Sequence, residues 1–198
     1  MTGGDLDELA GGLRRIAAAH GAPAFVAVDG WSGSGKTTLG DALGARLGAP
    51  VVHQEDLVTG WYGLQRSVER LVTEVLQPLA AGRPATWRRW DWAAGALGGE
   101  EDTALAAPLS VVEGCGAGSA PVRPWLAALV WLEVPEPERL ARLRARADWS
   151  LYEPWLEVWA AQERALRAGD EPRDHADVVV AHTGAGVALR WRGGYRQG

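Results

Sequence analysis

Gly30-Trp31-Ser32-Gly33-Ser34-Gly35-Lys36-Thr37 is an unbroken G-x-x-x-x-G-K-S/T stretch, the pattern of a phosphate-binding loop. Of the 20 Lys and Arg residues in the chain, Lys36 is the one lysine. Arginine is used wherever either cation would serve, so the surviving lysine marks a place that needs a compact ammonium on a flexible stem. Upstream, Ala24-Phe25-Val26-Ala27-Val28 is an apolar run rich in strand formers, and downstream Leu39, Leu43 and Leu47 recur at helical spacing. The loop therefore joins a strand to a helix. Gly30, Gly33 and Gly35 permit positive φ there, so that successive N–H groups at the positive end of the helix surround the β- and γ-phosphates of a nucleoside triphosphate. Lys36 is expected to reach the terminal phosphates and the Thr37 hydroxyl to hold Mg2+.

The remaining composition is that of a globular chain. Its 198 residues are 47% hydrophobic and 23% charged, which suits one compact domain spanning 1–198. No apolar run approaches the roughly 20 residues of a membrane span, and no signal-peptide pattern opens the chain, so a cytoplasmic protein without a membrane partner is expected. The net charge of -5 gives no reason to expect nucleic-acid binding. The single Cys115 excludes an internal disulfide and lacks partners for a zinc site; it reads as a small buried residue.

Strand and helix patterns alternate along the chain, which predicts an α/β fold with a parallel sheet flanked by helices. Five strands are expected, at 24–28, 50–53, 109–113, 126–134 and 176–181. A helix with Leu6, Leu9, Leu13 and Ile16 on one face precedes the first strand. Another runs from Leu64 to Ala81, with Pro78 set to kink or end it. Two more are expected at about 136–147 and 154–168. Residues 93–107 show no clear period and read as a loop with a short helix.

Ligands of parallel sheets bind at the carboxyl ends of the strands. Three polar groups fall there: Gln54-Glu55-Asp56, Glu113-Gly114 and the segment Trp87-Arg88-Arg89-Trp90-Asp91-Trp92. Asp56 is placed to accept a proton from a substrate hydroxyl or to hold a metal-bound water, with a helix cap or solvated loop acid as the alternative. Glu113 would enter the site from the sheet itself, or else be a buried carboxylate paired with an arginine.

In this order the motifs resemble the uridine kinase-like branch of the P-loop small-molecule kinases, over roughly residues 22–182. Gly30 to Thr37 matches the family's G-x-S-G-S-G-K-T/S loop, Asp56 its acidic residue after the second strand, and Trp90-Asp91-Trp92 its Tyr-Asp-Phe element. Val111-Val112-Glu113-Gly114 matches its strand ending in Glu-Gly, and Arg142 to Arg146 lies where its lid arginines fall. The chain departs from the pattern in Ala147, which separates Arg146 from Asp148, and in the two tryptophans of the substrate element.

The resemblance implies a P-loop NTPase fold with a substrate-binding insertion at about 57–107 and a helical lid at about 136–168. It implies ATP and Mg2+ as cofactors, with Gly30, Gly33, Ser34, Gly35, Lys36, Thr37 and Thr38 on the nucleotide and Thr37 and Glu113 on the metal. Lys36, Asp56, Arg142 and Arg146 would be catalytic, and Asp56, Trp90, Asp91 and Glu113 would position a small-molecule acceptor, a nucleoside among the options. On a helix through 136–147, Arg139, Arg142 and Arg146 share one flank, suited to clamping a transferring phosphoryl group. Of the 11 tryptophans, seven gather in two places, Trp61 with Trp87, Trp90 and Trp92, and Trp149 with Trp155 and Trp159, both expected to border the acceptor. Trp155 and Trp159, one turn apart, read first as packing residues. The same residues are compatible with a kinase acting on an antibiotic or other secondary metabolite, and with a regulatory NTPase that drives a partner.

Overall fold

The computed structural model of the chain describes residues 1–183 and 186–194. In chain order the elements are α1 (Gly3–His20), β1 (Ala24–Gly30), α2 (Lys36–Leu47), β2 (Val51–His53), α3 (Leu64–Arg70), α4 (Gln77–Ala80), β3 (Ala85–Asp91), β4 (Ala96–Ala104) and β5 (Leu109–Glu113). There follow β6 (Ala128–Glu133), α5 (Glu136–Arg144), α6 (Trp149–Tyr152), α7 (Leu156–Arg167), α8 (Pro172–His175), β7 (Val178–Thr183) and β8 (Gly186–Trp191). The main sheet has the order β2-β5-β1-β6-β7-β8. Its first five strands are parallel, as the sequence predicts.

The period-two alternation of β1 sorts its side chains between two cores. Val26 and Val28 pack with Leu9 and Leu13 of α1 and Leu39 and Leu43 of α2 on one face. Phe25 and Ala27 face the opposite layer, with Val68 of α3, the segment 71–76 and Leu79 of α4. Burial on both faces makes β1 wholly apolar up to Asp29, and the phosphate loop leaves from its carboxyl end between the two layers.

Four expectations need correction. The sheet has a sixth strand: β8 returns antiparallel to β7 with Val178 opposite Trp191, and the indole of Trp191 lies against α1 where Gly12 leaves no room even for a Cβ. The loop with a short helix expected at 93–107 is instead β4, paired antiparallel with β3 from Ala85 opposite Ala104 to Asp91 opposite Ala96. Its Gly and acidic residues have low strand propensity, and it is largely exposed, so backbone pairing to β3 overrides the local preference. The expected helix from Leu64 to Ala81 is α3 and α4 joined by a π-helical stretch, Leu71–Leu76. Pro78 sits in the first turn of α4 and the helix ends two residues later. Likewise the helix expected at 136–147 stops at Arg144. No helix of the described residues is long and apolar enough to cross a membrane.

Candidate active site

The loop after β1 takes the shape that its glycines permit. Gly33 and Gly35 have φ of 77° and 95°, where a side chain would be strained. Gly35 caps α2 without any side-chain hydrogen bond, which leaves the first N–H groups of that helix without an acceptor. Ser34 Oγ is buried inside the loop and also lacks a partner. Lys36 is 9% exposed, and its ammonium donates to the Trp31 carbonyl at 3.2 Å. Burial disfavours its charge, but Cys115, Glu163 and Asp29 outweigh that and hold its pKa above the ordinary value. An unsatisfied hydroxyl, an uncapped helix start and a charged lysine form a cradle of donors that fits a polyphosphate.

Beside the cradle, Thr37 Oγ1 donates to Glu113 Oε1 at 3.3 Å, and the same oxygen meets His53 Nδ1 at 2.8 Å. The hydrogen bond that Glu113 accepts from His53 raises the His53 pKa, assisted by the charges of Asp41 and Asp56 against the effect of burial. Among the described residues no three His, Cys, Asp or Glu side chains gather as a metal cage. Two hard oxygens beside a phosphate cradle suit Mg2+, which takes few protein ligands and completes its shell with phosphate and water.

One cavity of about 550 Å³ runs from the loop, past Thr37 and Glu113, to Glu55 and an aromatic wall of Trp61, Trp92, Tyr152 and Trp159. Glu55 and Asp56 lie on a 3₁₀ turn, Gln54–Leu57, whose successive residues point about 120° apart. Glu55 lines the cavity. Asp56 does not; it faces the β3–β4 hairpin, where Arg89 Nη2 lies 3.1 Å from Asp56 Oδ2. Burial raises the Asp56 pKa, with Arg89 acting in the opposite direction.

The expected Trp90-Asp91-Trp92 element divides. Only Trp92 lines the cavity. Asp91 Oδ1 accepts from the N–H groups of Ala93 and Ala94, both at 2.9 Å, and so closes the hairpin turn. Trp90 packs beside Gly60. Of the arginine flank, Arg142 lines the cavity and donates to the Ser34 carbonyl at 2.9 Å while also meeting Glu138 and His182. Arg146 lines it too, bidentate to Asp148 at 2.8 and 2.7 Å. That pairing raises the Arg146 pKa and lowers that of Asp148. Arg139 donates to the Ser32 carbonyl at 2.9 Å.

The far half of the expected lid is bound to the loop from below. Glu163 Oε1 of α7 accepts the Ser32 N–H at 2.8 Å, and Trp159 Nε1 donates to Ser32 Oγ at 2.9 Å. Arg167 is buried with Asp29 at 3.3 Å, its guanidinium 4.2 Å from the Trp31 ring and 5.5 Å from that of Trp131. Asp29 also accepts the N–H groups of Gly30, Gly116 and Gly118. Cys115, expected to be buried, is only partly so and lines the cavity beside Glu163; desolvation pushes its thiol up to about 12.

Residues 26–153 match the family model described as AAA domain. The chain belongs to the AAA domain family. No curated protein matches. Among solved structures, this AAA domain resembles one described as a possible uridine kinase from Bacillus stearothermophilus, at 24% identity and TM-score 0.56, over 87% of this chain and 98% of that one. A protein proposed as a fructose transport system kinase from a Silicibacter species matches at 21% identity and TM-score 0.52, over 89% and 95%. The fold of the AAA domain is thus that of the P-loop kinases, and the uridine kinase-like resemblance read from the sequence is borne out.

The α7 anchors, which lie beyond the residues matched by the AAA model, escaped the sequence reading, although a signal existed: Trp159, Glu163 and Arg167 recur every four residues on one face. Their weight can be measured. Arg167→Leu leaves Asp29 and Glu163 without their buried cation, and a loss of about 3–5 kcal/mol in urea unfolding is expected, the usual cost of breaking a buried pair. A loss below about 1 kcal/mol would mean that the backbone donors to Asp29 already suffice.

Proposed function

We propose that the protein is a Mg2+- and ATP-dependent kinase that phosphorylates a hydroxyl of a small molecule. The observation that carries this reading is one cavity lined by the phosphate loop, by aromatic side chains and by Glu55, a carboxylate whose side chain has no hydrogen bond or ion pair among the described residues. A P-loop that only hydrolyses or signals has no need of such a carboxylate and aromatic wall in the same cavity.

Each residue then has a task. The N–H groups of Gly33 to Thr38 hold the β- and γ-phosphates, and Lys36 leaves the Trp31 carbonyl to offset charge on the transferring group. Thr37 and Glu113 hold Mg2+, which when bound supplies charge neutralisation at the phosphate oxygens. Glu55, rather than Asp56, accepts the proton of the acceptor hydroxyl as its oxygen bonds to the γ-phosphorus. The bond from that phosphorus to the β-bridging oxygen breaks, and ADP leaves. Arg142, fixed to the rim of the loop by the Ser34 carbonyl, adds positive charge there, and Arg139 fixes the helix that carries it. Closing motion belongs to α6, because α5 and α7 are both hydrogen-bonded to the loop. An ATP supply places such an enzyme in the cytoplasm.

Acceptor dependence tests the reading. ADP release from Mg2+-ATP is expected to be slow alone and to rise at least about tenfold with a hydroxylated acceptor, with a phosphomonoester formed in equal amount. Fast hydrolysis that ignores every acceptor would instead favour the regulatory NTPase.

A further inference from the structure

We infer that the acceptor is an uncharged aryl alcohol or phenol, held by its ring face, rather than a nucleoside, a polyol or a hydroxy acid; this rests on the kinase reading above. The wall opposite the phosphate loop is built around Trp61. Its ring stacks on Trp155 with centroids 5.5 Å apart and planes 6° from parallel, meets Trp92 at 4.6 Å and touches the edge of Tyr152 at 5.9 Å. Trp61 and Trp92 are only partly buried, and both line the cavity together with Val58, Leu64 and Leu151. Partly exposed indoles braced by neighbouring rings give the cavity a rigid aromatic wall, whose best occupant is a further ring packed edge-to-face or offset-stacked on the surface left open.

What the wall lacks decides between acceptors. A pyrimidine edge carries several donors and acceptors that must be matched on burial. The one side-chain amide lining the cavity, Gln54, already donates to Ser67 Oγ at 3.0 Å, and its oxygen is covered. A carboxylate or phosphate on the acceptor would need a free guanidinium. Both arginines of the cavity are engaged, Arg146 with two hydrogen bonds to Asp148 and Arg142 with Ser34, Glu138 and His182. A polyol would bring hydroxyls against the side chains of Val58, Leu64 and Leu151, which offer no hydrogen bond. Glu55 remains as the one cavity carboxylate without a hydrogen bond or ion pair among the described residues, which is enough for a single reacting hydroxyl. The transfer balances as before: the acceptor O–H proton passes to Glu55, the new O–P bond forms, and ADP departs.

The test compares acceptor-dependent ADP release by the full chain with indole-3-ethanol and naphthalen-2-ylmethanol against uridine, cytidine, fructose, shikimate and glycerate. The aryl alcohols are expected to give kcat/KM at least about tenfold above every other acceptor. Trp61→Ala should raise their KM about tenfold or more while KM for ATP stays within about twofold, in line with the contribution of one stacked ring, and Trp61→Phe should recover most of the loss. Preferred turnover of a nucleoside, sugar or hydroxy acid overturns the inference and leaves the kinase reading standing. If no acceptor stimulates ADP release, the kinase reading fails, and calorimetric titration of wild type with the two aryl alcohols decides the wall. Binding that Trp61→Ala weakens about tenfold supports an aryl site, and no binding overturns it.

Discussion

Lys36→Ala is expected to lower kcat/KM for phosphoryl transfer by at least about 10²–10³-fold, the loss that follows removal of one preorganised donor to developing charge. No other lysine exists in the chain, and the cavity arginines are held by their own partners, so nothing can move in to replace it. Lys36→Arg should restore little. The ammonium occupies a buried niche beside Cys115 and Glu163, and a planar guanidinium is too wide for it. Steady-state kinetics on variants whose urea unfolding midpoints match wild type would check this. Transfer within tenfold of wild type in Lys36→Ala would sink the assignment of the loop as the phosphate site.

The second large effect separates two neighbouring carboxylates. Glu55→Gln is expected to lower kcat by about 10²–10⁴-fold with KM for ATP little changed, as loss of a general base does. Asp56→Asn should change kcat less than tenfold, because its side chain faces Arg89 and the hairpin. The reverse ranking would show that the turn rotates on closure and brings Asp56 into the cavity.

That pair shows where the sequence stops being legible. The loop, β1 and α2 could be read because glycine spacing, an apolar run and a helical repeat all agree within 24 residues, 24–47. The two cores follow from the same alternation. In Glu55-Asp56, by contrast, both residues satisfy every sequence criterion for a base, and only the screw of a 3₁₀ turn decides which one lines the cavity. The same holds for Trp90, Asp91 and Trp92, where the register of a hairpin sends one ring into the cavity and uses the carboxylate to close a turn. β4 was missed because its residues contradict a strand and its partner alone imposes one. The α7 anchors were missed for another reason: Trp159 satisfies packing and hydrogen bonding at once, and its periodicity announces only the first.

Ser32 is where these threads meet, and it ties two specificities together. Its N–H is held by Glu163 and its hydroxyl by Trp159, and Trp159 is also part of the acceptor wall. On the kinase reading, a change of acceptor reached through Trp159 is therefore transmitted to the loop that would grip ATP. By reciprocity, whatever an acceptor does to nucleotide affinity the nucleotide returns in equal measure. Evolution of a new acceptor on this scaffold cannot treat the two sites as separate modules. Substitutions at the Trp61 end of the wall leave the nucleotide untouched, whereas those at Trp159 renegotiate both ligands at once.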